Sequence, residues 1–181
     1  MCKADLIKPD DKLFFPVVLA GTLFMAVLLQ ITGKPLKTKS TPLGILNLEF
    51  ASTDPATRQV VDAWEKHNLI PVAEIHTARD FVFILFYAVL FFSCCRWVGQ
   101  KMRPASFLQK TGTFLSIAAL FAGLMDGLEN LGMLLSLTGR ISAKITALTF
   151  YTSVTKWAIV ALCLVYILLG LFVIFQKKRS G

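Results

Sequence analysis

Four apolar segments, each about long enough to cross a membrane, constrain the fold of this chain more than any other feature. They cover residues 14–32, 81–98, 113–137 and 157–175. A helix needs about 20 mostly apolar residues to cross the hydrocarbon core, where unpaired backbone groups are not tolerated, so each segment is predicted to be a helix. The composition agrees, because 55% of the residues are hydrophobic and 17% are charged, unlike most soluble domains. We predict an all-α integral membrane protein with a four-transmembrane-helix bundle, forming one domain over residues 1–181.

The basic residues predict how the chain is oriented in the membrane. The loop from Arg96 to Lys110 and the tail after Phe175 contain lysine and arginine but no acids. Basic residues next to transmembrane helices favour the cytoplasmic side, although Lys34 and Lys37 count against this orientation. We therefore predict a multi-pass protein of the cell membrane, namely the bacterial inner membrane, with both termini cytoplasmic. We predict that the basic residues behind the net charge of +8 contact membrane lipids and not nucleic acid.

The long segment between the first two spans, residues 33–80, is predicted to lie outside the membrane and to contain an amphipathic helix. Its run ILNLEFA, residues 45–51, alternates as a strand does, or as an extended segment on the membrane surface would. In the stretch DPATRQVVDAWEKHN, Asp54 is suited to cap a helix, Pro55 to its first turn and Asn68 to its end. We predict that this helix lies across the mouth of the bundle or on the bilayer interface.

Three tryptophans are candidate membrane-interface anchors, because tryptophan is enriched at the boundary between lipid and water. Trp64 lies in the predicted loop helix, Trp97 follows Arg96, and Trp157 follows Lys156. We predict that Trp97 and Trp157 mark opposite faces of the membrane, and that Trp64 anchors the loop helix to lipid or to the bundle.

The third apolar segment contains polar residues where lipid-facing residues are expected. In LFAGLMDGLENLGMLL, Asp126, Glu129 and Asn130 lie within five positions. At 100° per residue, these side chains share a stripe with small residues, which allow close helix contact. We predict that the carboxylates face neighbouring helices, and that the helix packs through Ala119, Gly123 and Gly127.

Buried carboxylates at membrane depth need a proton or a cationic partner, because a charge at the bilayer centre costs about 2.5–3.5 kcal/mol. Glu129 lies eight residues before Leu137, which corresponds to a depth of about 12 Å. Lys156 starts the fourth span from the same side, so it is the predicted partner. The predicted site, for a proton, a cation or a small amphiphile, consists of Asp126, Glu129, Asn130, Lys156, Glu49, Arg79 and Asp80. The structural alternative is a buried polar network that only fixes the helix register.

Two other functions remain open at this stage. An accessory or scaffolding subunit would dock onto other membrane proteins through its glycine face and the Trp64 helix. A lipid-modifying enzyme would use Glu49, His76 and Asp126 as acid and base groups. No catalytic triad or nucleotide-binding loop is present, and the spacing of His76 and Asp80 matches no established metal motif. We predict no catalytic residue, no metal and no cofactor.

Three short motifs resemble a family of uncharacterised bacterial four-helix integral membrane proteins. They are ILNLEFA, the helix motif DPATRQVVDAW that follows it, and DGLENL in the third span. The resemblance covers most of the chain and places Glu49, Trp64, Asp126, Glu129 and Asn130 on matching positions. It implies the four-helix fold with a helix in the loop, and it implies no activity, substrate or cofactor.

Overall fold

The computed structural model describes residues 13–179, and within that range the chain is helical with no strand. Its six α-helices are α1 (Phe14–Thr32), α2 (Leu46–Glu49), α3 (Asp54–Glu65), α4 (Ile70–Lys101), α5 (Phe107–Leu137) and α6 (Ala143–Arg179). Helices α1, α4, α5 and α6 are long and apolar enough to cross a membrane. The prediction of an all-helical chain with four candidate spans is confirmed. The cytoplasmic placement of the termini remains a prediction, and residues 1–12 and 180–181 lie outside the described range.

Three of the long helices extend well beyond the predicted spans. Helix α1 has 19 residues, whereas α4, α5 and α6 have 32, 31 and 37. Helix α4 begins at Ile70, so the last part of the predicted loop 33–80 is helical. At 1.5 Å per residue the three helices are longer than the roughly 30 Å hydrocarbon core, so they project past it at one end or both. Where the membrane boundaries fall along them remains a prediction.

The packing of the long helices centres on α4 and α5. Helix α5 packs against both α4 and α6, and α1 packs against α4. Large apolar side chains remain exposed along α1 and α6, among them Phe24 at 67% and Leu168 at 66%. Exposed apolar surface of this extent is what contact with lipid requires.

Residues 33–69, here called the cap segment, fold over one end of the long helices. Their apolar side chains share one core with residues of α4 and α5, and that core comprises Leu36, Leu48, Val60, Val61, Trp64, Ala73, Met133 and Leu137. The cap segment is therefore packed onto the helix ends as part of one structure.

The run ILNLEFA forms the short helix α2, so the prediction of a strand or extended segment is wrong. The consecutive residues Leu48 and Glu49 are both buried, Leu48 in the apolar core and Glu49 against α6. A single helical turn buries neighbouring positions that a strand would place on opposite faces.

Helix α3 begins one residue earlier than expected. Thr53 caps it, with its side-chain oxygen accepting a hydrogen bond from the Ala56 amide at 3.4 Å, and Asp54 is the first helical residue. Beyond the helix end, Asn68 adopts a positive φ of 56°, a conformation that asparagine tolerates better than most residues. The Thr57 and Thr146 hydroxyls, 3.2 Å apart, join α3 to α6.

Trp64 lies in the core that the cap segment shares with α4 and α5, so it packs against the bundle, which is one of the two predicted alternatives, and not against lipid. Its side chain is fully buried, and its indole N–H donates to the Leu36 carbonyl at 3.0 Å and to the Thr41 hydroxyl at 3.2 Å. The cap segment folds around this tryptophan because it supplies both apolar contact area and a hydrogen-bond donor.

The Trp64→Phe substitution is expected to lower the free energy of unfolding by about 1–3 kcal/mol, because it removes a buried donor and reduces the ring volume. The measurement is detergent-induced unfolding followed by circular dichroism. Trp97→Phe is the matched control, since Trp97 is 43% exposed and should change stability by less than about 0.5 kcal/mol. Equal effects of the two substitutions would contradict the role of Trp64.

The glycine positions show where helices meet most closely. A Cβ at Gly123 would lie 3.0 Å from Ala88 Cβ, so α5 packs tightly on α4 there, next to the buried Ala119. The prediction for Gly127 is wrong, because a Cβ at that position would meet no atom within 4 Å among the described residues. The backbones of α4 and α5 also come close together at Gly99 and Gly112, where a Cβ on Gly112 would be 2.9 Å from Gly99 Cα.

Candidate functional site

Lys156 of α6 lies at the centre of a buried charge cluster. Its ammonium nitrogen Nζ is 2.9 Å from Asp126 Oδ1, 2.8 Å from Glu129 Oε2 and 3.5 Å from Glu49 Oε2. The first two acids project from α5 and the third from the cap segment. The predicted contact of Lys156 with Asp126 and Glu129 is thus present. We call Lys156, Glu49, Asp126 and Glu129 the lysine cluster.

Further hydrogen bonds hold the carboxylates of the lysine cluster in place. Tyr87 of α4 donates its hydroxyl to Asp126 Oδ2 at 2.7 Å. The Trp157 indole N–H donates to Glu49 Oε2 at 3.2 Å, and the Ser153 hydroxyl lies 3.5 Å from the same oxygen. Glu49 therefore connects the cap segment to α6, so the cluster joins the cap segment, α4, α5 and α6.

The lysine cluster has more acidic groups than basic ones. Three carboxylates surround one ammonium group, and Glu129 is fully buried while Glu49, Asp126 and Lys156 are 6%, 3% and 6% exposed. Away from water, uncompensated charge is very unfavourable, so groups in such a place are neutralised or paired. Protons or a bound cation must balance the surplus acids.

Asp80 and Asn130 form a second polar contact beside the cluster. The Asn130 amide Nδ2 donates to Asp80 Oδ2 at 2.8 Å. Asp80 has no ion pair among residues 13–179. The predicted inclusion of Arg79 is wrong, because its side chain is exposed and it forms no ion pair within the described residues. Asp80 and Arg79 are adjacent on α4 and so point about 100° apart.

A cavity of about 340 Å³ lies between α1, the cap segment, α4, α5 and Trp157 of α6. Glu49, Asp80 and Asn130 line it, so it reaches both the lysine cluster and the Asp80–Asn130 pair. The end of α1 closes one wall by lying against α4, where a Cβ on Gly33 would be 2.9 Å from His76 Cε1. This volume falls within the range of small-ligand pockets, about 300–1,000 Å³.

Three buried polar atoms in the cavity lining have no hydrogen-bond partner within the described chain. They are His76 Nδ1, Thr77 Oγ1 and Asn130 Oδ1. Thr77 and Asn130 are fully buried, and His76 is 7% exposed. Nearly all buried polar groups in proteins are hydrogen-bonded, so each of these atoms calls for water or a ligand.

Sequence reasoning missed Tyr87, Ser153 and Thr77, and it considered His76 only as a metal ligand or as an acid/base group of an enzyme. A tyrosine within FILFYAVLFF has the pattern of an ordinary lipid-facing aromatic, and only the position of α5 shows that Tyr87 faces Asp126. Ser153 offered a usable signal, because it lies three residues before Lys156 and therefore on the same helix face.

Trp97 and Trp157 differ in their surroundings, although both are about half exposed. Trp157 is hydrogen-bonded to Glu49 and its ring lies 5.5 Å from Lys156 Nζ, so it belongs to the site. Trp97 lies at the other end of the long helices, with Lys101 Nζ 5.9 Å from its ring. Their role as interface anchors remains a prediction.

No protein-family model, curated protein or solved structure matches this chain. The resemblance to bacterial four-helix membrane proteins thus remains an expectation from short motifs. Any functional conclusion has to come from the geometry of the lysine cluster and its cavity.

Proposed function

We propose that the protein is a small multi-pass membrane protein that binds a proton or a cation at the lysine cluster. The observation that carries the proposal is the surplus of acids, with three buried carboxylates around the single ammonium group of Lys156. A site of this composition is neutral only when a positive species joins it. Ionisable residues within membrane helices are functional-site candidates by default.

Access from outside the helices supports exchange of the bound species. Glu49 belongs both to the lysine cluster and to the cavity lining. A proton or cation in the cavity can therefore reach Glu49, whose Oε2 is 3.5 Å from Lys156 Nζ. Asp126 and Glu129 lie behind it on α5. The arrangement favours entry at the capped end of the protein.

The test is infrared difference spectroscopy of the protein in lipid nanodiscs, with the protonated-carboxyl C=O band followed as a function of pH. Asp126→Asn keeps one oxygen that can accept from Lys156, and its amide Nδ2 can donate to the Tyr87 hydroxyl oxygen, so we expect it to fold. It should move the pH midpoint of the band by about one unit or more, because removing a charge about 4 Å from its neighbours changes their interaction by about 1–4 kcal/mol. Glu129→Gln should act similarly.

Asp62→Asn is the matched control, because Asp62 is exposed on α3 and should leave the band unchanged. A spectrum with no pH-dependent band that responds to Glu49→Gln, Asp126→Asn or Glu129→Gln would reject proton binding at the lysine cluster. It would leave the polar network as a fixed element of helix packing.

The alternative of an accessory subunit has less support, because Gly123 and Trp64, which were invoked for docking, are used within the chain, and only Gly127 of the glycine face is open among the described residues. Gly123 packs against Ala88, and Trp64 is buried in the cap. The lipid-modifying enzyme has one feature in its favour, since Glu49 and His76 line the same cavity, although Asp126 does not line it. We therefore rank binding of a positive species above both.

A further inference from the structure

We infer that the cavity binds an organic ammonium ion, a primary amine attached to an apolar body, with its charged group at the Glu49–Asp80–Asn130 end. This rests on the proposed function and names the class of cation. The inference starts from the chemistry of the cavity wall, which combines acidic and unpartnered polar atoms with a larger apolar surface.

The polar end of the cavity offers acceptors, and the described residues that line it include no buried lysine or arginine, although Lys156 lies behind Glu49. Glu49 and Asp80 provide carboxylate oxygens, and Asn130 Oδ1 is buried without a hydrogen-bond donor among the described residues. A primary ammonium group has three N–H donors and no acceptor. It can satisfy Asn130 Oδ1 and compensate Asp80, which has no ion pair within residues 13–179.

The remaining wall suits an apolar body. The residues that form it are Leu29, Leu43, Ile45, Leu46, Phe83 and Met133. The rings of Phe83 and Trp157 also border the cavity, and aromatic faces attract organic cations. A hydrated inorganic ion would leave this apolar surface without contacts, whereas an amine with an aliphatic or aromatic body covers both parts of the wall.

An anion fits this cavity poorly. Lys37 is the only lysine or arginine in the lining that the structure describes, and its side chain is exposed, so its charge remains solvated. A carboxylate at the other end would face Glu49 and Asp80, and like charges repel. The cavity therefore discriminates by charge sign as well as by shape.

Two sources of this ammonium chemistry exist, a free amphiphilic amine and the ethanolamine headgroup of a lipid. The cavity lies beside the last turns of α1, lined there by Ala26 and Leu29. If α1 spans the membrane, the cavity lies near the lipid headgroups. Both a free amine and the headgroup of a lipid can then reach it. The shared group, R–NH3⁺, is what the site recognises.

The experiment measures phenethylamine binding to the full chain in phosphatidylcholine nanodiscs by ligand-detected NMR, with empty nanodiscs subtracted. Phenethyl alcohol and phenylpropionate are matched probes that carry a neutral hydroxyl and a negative carboxylate in place of the positive ammonium group. We expect binding of the amine, and at least tenfold weaker binding of the alcohol and the acid. Asp80→Asn should weaken amine binding at least tenfold, whereas Asp62→Asn should not change it.

Ala26→Phe provides a second variant, because it fills the cavity from α1 without altering a polar group. It should abolish amine binding while the infrared carboxyl band of the lysine cluster persists. Equal affinities for the three probes, or unchanged amine binding in both Asp80→Asn and Ala26→Phe, would overturn the inference while leaving proton binding at the lysine cluster intact. Replacing part of the lipid with phosphatidylethanolamine separates the two sources. If the cavity binds the lipid headgroup, phosphatidylethanolamine competes and lowers the apparent affinity for the amine. If it binds only free amines, the affinity is unchanged.

Discussion

Lys156→Met is expected to be the most destabilising single substitution in the site. It leaves Asp126, Glu129 and Glu49 buried without their shared cation, and removing one partner of a buried ion pair typically costs about 3–5 kcal/mol. We expect the variant to unfold at much lower SDS concentration than the wild type, or to accumulate poorly in membranes. The measurement is SDS titration in mixed micelles followed by circular dichroism.

Two further variants separate charge compensation from other effects of the substitution. Lys144→Met makes the same change at an exposed position of α6 and should alter stability by less than about 0.5 kcal/mol. Lys156→Met combined with Asp126→Asn and Glu129→Gln should recover most of the lost stability, because a neutral set leaves no unpaired charge on α5. If Lys156→Met behaved like Lys144→Met, the lysine would not neutralise the cluster.

The second large effect is expected at Gly112, where α5 crosses α4. A Cβ at this position would lie 2.9 Å from the Cys95 carbonyl oxygen and from Gly99 Cα, and it would also clash with the Tyr166 hydroxyl, which donates to Leu108. The Cys95 carbonyl oxygen and Gly99 Cα are backbone atoms, so they cannot move aside as the end of a flexible side chain can. Gly112→Ala should lower the free energy of unfolding by about 1–3 kcal/mol, and Gly112→Leu should prevent α4 and α5 from packing together.

Gly127→Ala is the control on the same helix. A Cβ there meets open space among the described residues, and alanine is the better helix former, so stability should be unchanged or rise by up to about 1 kcal/mol. Both variants are compared in the same SDS titration. A loss for Gly127→Ala as large as that for Gly112→Ala would show that glycine at these positions matters for helix flexibility and not for close contact.

The contact of Lys156 with Asp126 and Glu129 could be predicted because it follows from helix periodicity and depth. Polar and small residues share one stripe of α5, and the short connection from Leu137 to α6 brings Lys156 in from the same side. Glu49 was included for its position in the loop motif. Glu49 and Lys156 are 107 residues apart in the sequence, so their contact depends on how the cap segment folds.

The parts that could not be predicted depend on which neighbour stands opposite a given face. The spacing of Gly123 and Gly127 indicates a face that another helix can approach, but only the path of α4 decides that Gly123 is used and Gly127 is open. The positions of Gly99 and Gly112 indicate a helix crossing only weakly. The two glycines lie at comparable distances on either side of the turn after Lys101. The cavity has no sequence signature, because residues from α1, the cap segment, α4, α5 and α6 line it.

The position of Lys156 on the last helix has a consequence for biosynthesis. The ribosome makes Asp126 and Glu129 27 or more residues before Lys156, so α5 reaches the insertion machinery before the segment that carries its cation. Both acids must then enter the lipid in neutral form or wait beside the translocon until α6 arrives. Membrane integration of α5 is therefore expected to depend on the helix that follows it.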